Sequence, residues 1–424
     1  MSRILNLVLA MALGAPLAAR AAPAPAAPPQ PAGAAPTLAE ASAQAWQRLP
    51  FAQSLTGLEG EARADGRVAA SWTPAPPAIS LGSLNDRLNA RSGKQEWEAE
   101  LAVPLWQPGQ REARQGLARA RQTELAAQVA TQRLEVAGRV REAWWELAAA
   151  RQTGALALRR LQSARALHTD VARRWRAGDL PRTDANAAQA EVQLAEAGQI
   201  DALRAEQLAQ DRLQALTGAA APATLPAESA PPTLPAESAP TQGAEAAAAA
   251  HPALATAAAA AHTAQQKLRL TDRSLRAAPE LSLRLVRERG NAGEPYANAV
   301  GIKFSLPLSS AASVSRESYA ARAELAAAES RLPLLARQLQ LDQDAARRDI
   351  DAAARRAVLA GSRAALAADT LQLMQKSFAL GESDLQTLLR ARAAAFNADA
   401  DVERESIARA AAASRLLQSL GVMP

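Results

Sequence analysis

Two hydrophobic periods alternate along this chain of 424 residues. In "EWEAELAVPLW", Trp97, Ala99, Leu101, Val103 and Leu105 fall on one side, and Glu96, Glu98 and Glu100 on the other. A period of two with one apolar side is a β-strand. Val300, Ile302, Phe304 and Leu306 alternate in the same way with Gly301, Lys303 and Ser305, and shorter strands are marked by Ile79 with Leu81 and by Leu281 with Leu283. After the strands the period changes. From about Gly109 to Ala177, the residues Leu125, Val129, Val136, Val140, Trp144 and Leu147 recur at spacings of three, four and seven. That is the seam of a helix packed on neighbouring helices. At 1.5 Å per residue it predicts a helix of roughly 100 Å, which no globular domain requires. Pro333 predicts a bend in a second long helix.

The whole pattern is written twice. Pro104 and Pro307, Gly178 and Gly381, and Gly218 and Gly421 are each 203 residues apart, while Pro77 with Pro279 and Pro50 with Pro252 are 202 apart. Anchors in near-constant register identify a tandem duplication. Each copy reads as a helical segment (about 38–70; 244–277), a strand, a loop, a second strand, one very long helix, a Gly turn and a shorter returning helix. The copies are joined by "TLPAESAPPTLPAESAP", a Pro/Ala/Ser tandem that cannot pack a core and reads as a linker.

The turns between the paired helices carry their own chemistry. In "RWRAGDLPRTDA", Gly178 suits the left-handed residue that ends a helix, and Pro181 suits the first turn of the next. Asp179 is the expected N-cap there, and Ser383 with Gln386 forms an expected capping box after Gly381.

Composition narrows the classes. Aromatic residues make up 3% of the chain and the 49% hydrophobic content is largely Ala and Leu among Arg, Glu and Gln, which is the make-up of long helices packed through small side chains. The start carries Arg3, an apolar run from Ile4 to Leu17 and Ala19-Arg20-Ala21, the form of a cleaved signal peptide. No later stretch offers eighteen consecutive apolar residues, so a membrane position would require a β-barrel. Four strands cannot close one; three chains would supply twelve. A soluble hairpin packed on a helix, within a periplasmic helical adaptor or scaffold, is the alternative. The chain has no cysteine for disulfides or lipid attachment. Its charge of +6 is dispersed among acids along the helices, which argues against a nucleic-acid partner. His168, His251 and His262 lack companions at ligand spacing, and no nucleophile elbow or phosphate loop is present, so neither metal site, cofactor nor enzyme activity is expected.

On the duplication, the strand-Pro-long-helix junctions and the tips "RAGDLPRTDANAAQAE" and "ALGESDLQTLLRARAA", the chain resembles the TolC family of outer-membrane efflux proteins over nearly its whole mature length. The resemblance implies a mainly α fold with a transmembrane β part, in which duplicated helical hairpins form a trimeric periplasmic α-barrel and four strands per chain join a twelve-strand barrel. It implies an outer-membrane exit duct, a homotrimer among lipid, partnered by a periplasmic adaptor and an inner-membrane RND-type pump; a duct for type I protein secretion is the neighbouring option. On this basis the chain divides into a signal peptide (1–21), an N-terminal segment (22–76), a β-hairpin (77–106), a helical hairpin (107–218), a linker (219–243), a helix (244–278), a second β-hairpin (279–308) and a second helical hairpin (309–421). The tips near Gly178 and Gly381, with Asp179, Leu180, Glu382, Ser383 and Leu385, are then adaptor-docking candidates, and Thr183, Asp184 and Asp384 are gate candidates. Thr183 and Asp184 match the family's first-tip pair, but its basic latch partner reads Ser383 here, and Thr387 and Arg390 stand where some members carry an acidic ring. "PAISLGSLND" with "LWQPGQREAR" is most similar to members serving cobalt, zinc and cadmium exporters. The loop from Leu84 to Lys94 has no assigned role.

Overall fold

Thr37 accepts a hydrogen bond from the Glu40 backbone N–H while the Glu40 carboxylate accepts one from the Thr37 N–H, a capping box that starts α1 (Leu38–Arg48). The computed structural model describes residues 36–88, 92–225, 251–274, 277–308 and 310–424, so the expected signal peptide, most of the linker and residues 244–250 lie outside the described residues. Pro50 begins α2 (Pro50–Ala70), and Leu49 is extended. The single helix expected over 38–70 is therefore two, because proline disfavours helical geometry in the residue before it and has no N–H to donate backwards.

The next elements are β1 (Ala78–Asn85), β2 (Gln95–Pro104), α3 (Gln110–Ala177), α4 (Arg182–Thr217), α5 (Pro252–Arg273), β3 (Glu280–Arg289), β4 (Ala297–Ser305), α6 (Ala311–Ala379) and α7 (Leu385–Ser419). Shifting α2 by 202 residues or α4 by 203 lands on α5 and α7 almost residue for residue. α6 runs unbroken through Pro333.

Among the described residues the strands form one antiparallel sheet in the order β1-β2-β3-β4. The β2–β3 pairing joins the two copies, with Leu101 opposite Leu283 and Glu100 opposite Arg284. Cross-strand rows such as Ile79–Leu101–Leu283–Ile302 place like with like on one face. The other face holds Glu96, Glu98, Glu100 and Lys303, and there Arg284 pairs with Glu98 at 2.5 Å and with Glu96 at 3.8 Å.

The two helical hairpins, α3 with α4 and α6 with α7, extend from this sheet. The seam on α3 supplies the main core: Val136, Val140, Trp144 and Leu147 pack with Leu38, Ala41 and Ala45 of α1 and Leu213 of α4. Trp144 and Trp145 are thus packing residues, with Trp144 only 1% exposed. Further along, Leu161 and Ala164 meet Val192 and Ala195, a contact thin enough for small side chains. Ion pairs between α3 and α4 (Arg160–Glu191, 2.9 Å) and between α6 and α7 (Arg363–Asp401, 2.8 Å) are partly exposed and add little each. The C-terminal end is seated firmly. Arg141, 3% exposed, donates to the Val422 carbonyl at 2.9 Å, and Gln418 donates to the Leu134 carbonyl at 2.8 Å.

Candidate functional site

Each long helix ends in the same hydrogen-bonded device. Gly178, with φ of +88°, donates to the Trp175 carbonyl, and Asp179 donates to that of Arg174. Gly381, with φ of +78°, donates to Phe378, and Glu382 donates to Ser377. The four bonds correspond at an offset of 203 and form two Schellman motifs, which need a residue at ease in the left-handed region. Nothing lies within 4 Å of where a Cβ would stand on either glycine, so both turns face open space.

The caps of the returning helices differ from expectation. Pro181 occupies the N-cap position of α4 with no side-chain bond, so Asp179 does not cap it: Asp179 is held in the Schellman turn, two residues too early. At the second tip the cap is Asp384, which accepts from the Thr387 N–H at 2.7 Å. Ser383 is not the cap; its hydroxyl is buried without a hydrogen-bond partner among the described residues. A carboxylate is the stronger acceptor at a helix N-terminus, and the extended residue here is Asp384 (φ −80°, ψ 161°). The Thr387 hydroxyl first, then its N–H and the charge of Arg390, hold the Asp384 carboxyl below the usual range.

Beneath the turns, both hairpins share one apolar cluster. Leu167, Val171 and Ala188 from the first meet Phe378, Leu385 and Leu388 from the second, with Leu180 packed at the edge. Leu385 is fully buried, whereas Gly178, Asp179, Gly381, Glu382 and Asp384 are exposed, as is Thr183; Asp184 is half-buried and its N–H donates to Pro181. Arg174 stacks over Phe378 at 5.4 Å. Arg392 of α7 donates to the carbonyl and hydroxyl oxygens of Ser163 on α3. Burial lowers the Arg392 pKa, and Glu191 opposes that shift. Neither Arg174 nor Arg392 stood out in the sequence, where arginines on helices are common.

Two further surfaces lack partners among the described residues. Ile79, Leu81, Trp97, Leu101, Leu283, Leu285, Val300, Ile302 and Phe304 all lie exposed on one side of the sheet, whose edge strands β1 and β4 each have one side unpaired among the described residues. On α6 and its C-cap, Leu359, Leu366, Leu373 and Leu380 repeat every seventh residue and are at least half exposed, from 53% to 74%. No helix among the described residues is long and apolar enough to cross a membrane.

Solved structures share this architecture. A membrane protein from Pseudomonas aeruginosa superposes with a TM-score of 0.71 at 19% identity, covering 91% of this chain and 90% of that one. The outer-membrane protein VceC from Vibrio cholerae matches at 0.71 and 16% identity, covering 91% and 96%. The CmeC outer-membrane channel of Campylobacter jejuni matches at 0.71 and 13% identity, covering 91% and 85%. The chain thus shares the fold of these membrane proteins over 91% of its length. No family model and no curated protein sequence matches it.

Proposed function

We propose that the chain is the outer-membrane channel-tunnel of a tripartite efflux system, a passive exit duct that carries out no chemical step. The observation that carries this reading is the four-stranded sheet with one exposed apolar face and two open edges. In lipid every backbone donor must be paired, so the edges have to meet those of other copies. Three copies give twelve strands, with the apolar face against lipid and the Glu96–Glu98–Arg284 face towards water. The heptad row Leu359–Leu380 supports the same assembly, since a leucine repeated every seventh residue is a helix-packing seam. The shared fold of VceC and CmeC supports the membrane.

In this assembly the hairpins form a water-filled periplasmic tunnel, and the tips at Gly178 and Gly381 meet an adaptor tied to an inner-membrane RND-type pump. The exposed Asp179 and Glu382 are the contact groups. Leu180 and Leu385 hold the turns from beneath, Thr183, Asp184 and Asp384 border the opening, and opening is a relative shift of the two hairpins. The substrate reading is cobalt, zinc or cadmium ions, resting on the "LWQPGQREAR" junction; drugs are the other class the fold serves. Selection is left to the pump. Deleting the chain in its host should lower tolerance to one of these metals, restored by the wild-type chain. Unchanged tolerance to all three metals, with raised retention of a dye, would move the substrate to drugs; no change in either would sink the duct.

A further inference from the structure

The charges on the sheet are divided by face in a way that solvation alone does not require. All five acidic strand residues, Glu96, Glu98, Glu100, Glu280 and Glu288, share a face with Arg284 and Lys303. The apolar face carries no acid at all, and its only cations are Arg287 and Arg289. Both stand at one end of the apolar rows, the end nearer the short loops and away from the helices. There Arg287 lies between Trp97 and Asn298 in register, and Arg289 lies opposite Gln95.

The two guanidinium groups converge on one ring. Arg287 sits 4.6 Å and Arg289 4.9 Å from the centroid of Tyr296, whose hydroxyl donates to Gln95. Arg289 also donates to the Gly93 carbonyl at 3.2 Å, while Arg287 is exposed and has no hydrogen-bond or ion-pair partner among the described residues. The nearest loop acids are engaged elsewhere: Asp86 accepts from Ser92, and Glu294 accepts from Gly290 and Asn291. The result is a pair of positioned cations beside Trp97 and Tyr296, at the border where apolar surface ends. Aromatic rings belong at such a border, and arginine forks fit phosphate oxygens in pairs.

We propose that this cluster binds the terminal phosphate monoester of a phosphorylated lipid in the leaflet on the loop side, its two arginines favouring that dianion over the phosphodiester of a zwitterionic lipid, with the acyl chains lying along Leu285, Val300 and Leu81 below it. The inference rests on the barrel reading given above. A lipid fits better than a free anion because the cations stand on the same face as the apolar rows and share no enclosed pocket. The absence of any acid from that face removes the repulsion a phosphorylated headgroup would otherwise meet.

The test uses the full chain in mild detergent and two lipids, diphosphoryl lipid A and phosphatidylethanolamine. Native mass spectrometry should find lipid A retained in preference. The Arg287→Gln/Arg289→Gln variant should weaken that retention roughly tenfold, and the double Lys variant should recover part of it. Flotation of each protein with neutral phosphatidylcholine vesicles reports barrel insertion by itself. Equal retention of both lipids, or no loss in the Gln variant, overturns the proposal while flotation leaves the barrel standing. Displacement of lipid A by inorganic phosphate overturns the choice of a lipid. Failure of the wild type to float overturns the barrel and the proposal together.

Discussion

The guanidinium of Arg392 crosses from the second hairpin to the first and donates to Ser163 twice, at 3.1 Å to the carbonyl and 3.2 Å to the hydroxyl. It is a polar tie between α3 and α7 on the sheet side of the shared apolar cluster, farther from the tips. Arg392→Met keeps much of the side-chain volume and removes the donors, and should cost about 1–3 kcal/mol locally. If opening separates the hairpins, this variant should also conduct more than the wild type in planar bilayers. Unchanged conductance together with unchanged amide protection in the tip half of α3 would remove Arg392 from the gate.

Gly178 and Gly381 face open space, so a side chain there meets no steric barrier; the cost is the positive φ, about 1–2 kcal/mol for an L-residue. Gly381→Trp should therefore leave folding, assembly and membrane insertion intact while lowering efflux, because the turn reshapes where the adaptor docks. A well-expressed Gly381→Trp protein with full efflux would show that the second tip is only a chain reversal.

The Asp384 cap makes the second tip acid-sensitive. Its pKa is lowered from 3.8 on folding, so the cap stabilises the tip fully above that value and loses its contribution as the pH falls through the folded value. Asparagine caps without titrating. The protection of the Thr387 amide, taken relative to its intrinsic exchange rate at each pH, should fall in acid more for the wild type than for Asp384→Asn. Equal acid responses would mean that another group governs the tip.

The duplication, the strands and the long helices were legible because each rests on repetition: a period of two, a period near three and a half, and an offset of 203. Gly178 and Gly381 were legible for the same reason, as only glycine suits their φ. The caps were not. Asp179 at the first tip and the neighbours Ser383 and Asp384 at the second are candidates of similar chemistry, and whether the chain turns extended at one residue or the next is decided by the Schellman bonds before it. Arg392 and Ser163 are 229 positions apart, and nothing local marks their contact. The Arg287–Tyr296 cluster was hidden too, since Arg287 continues the alternation only when Leu281, Leu283 and Leu285 are known to share its face.

The mass of the protein extracted by mild detergent from outer membranes, with bound detergent subtracted by light scattering, distinguishes a trimeric channel from a soluble protein. Three chains of 44.3 kDa without their expected signal peptides should give about 125 to 130 kDa, because four strands cannot close alone. A monomer or dimer, recovered from the soluble periplasm instead, would mean that the apolar sheet face is covered by something other than lipid and that the chain is not a channel.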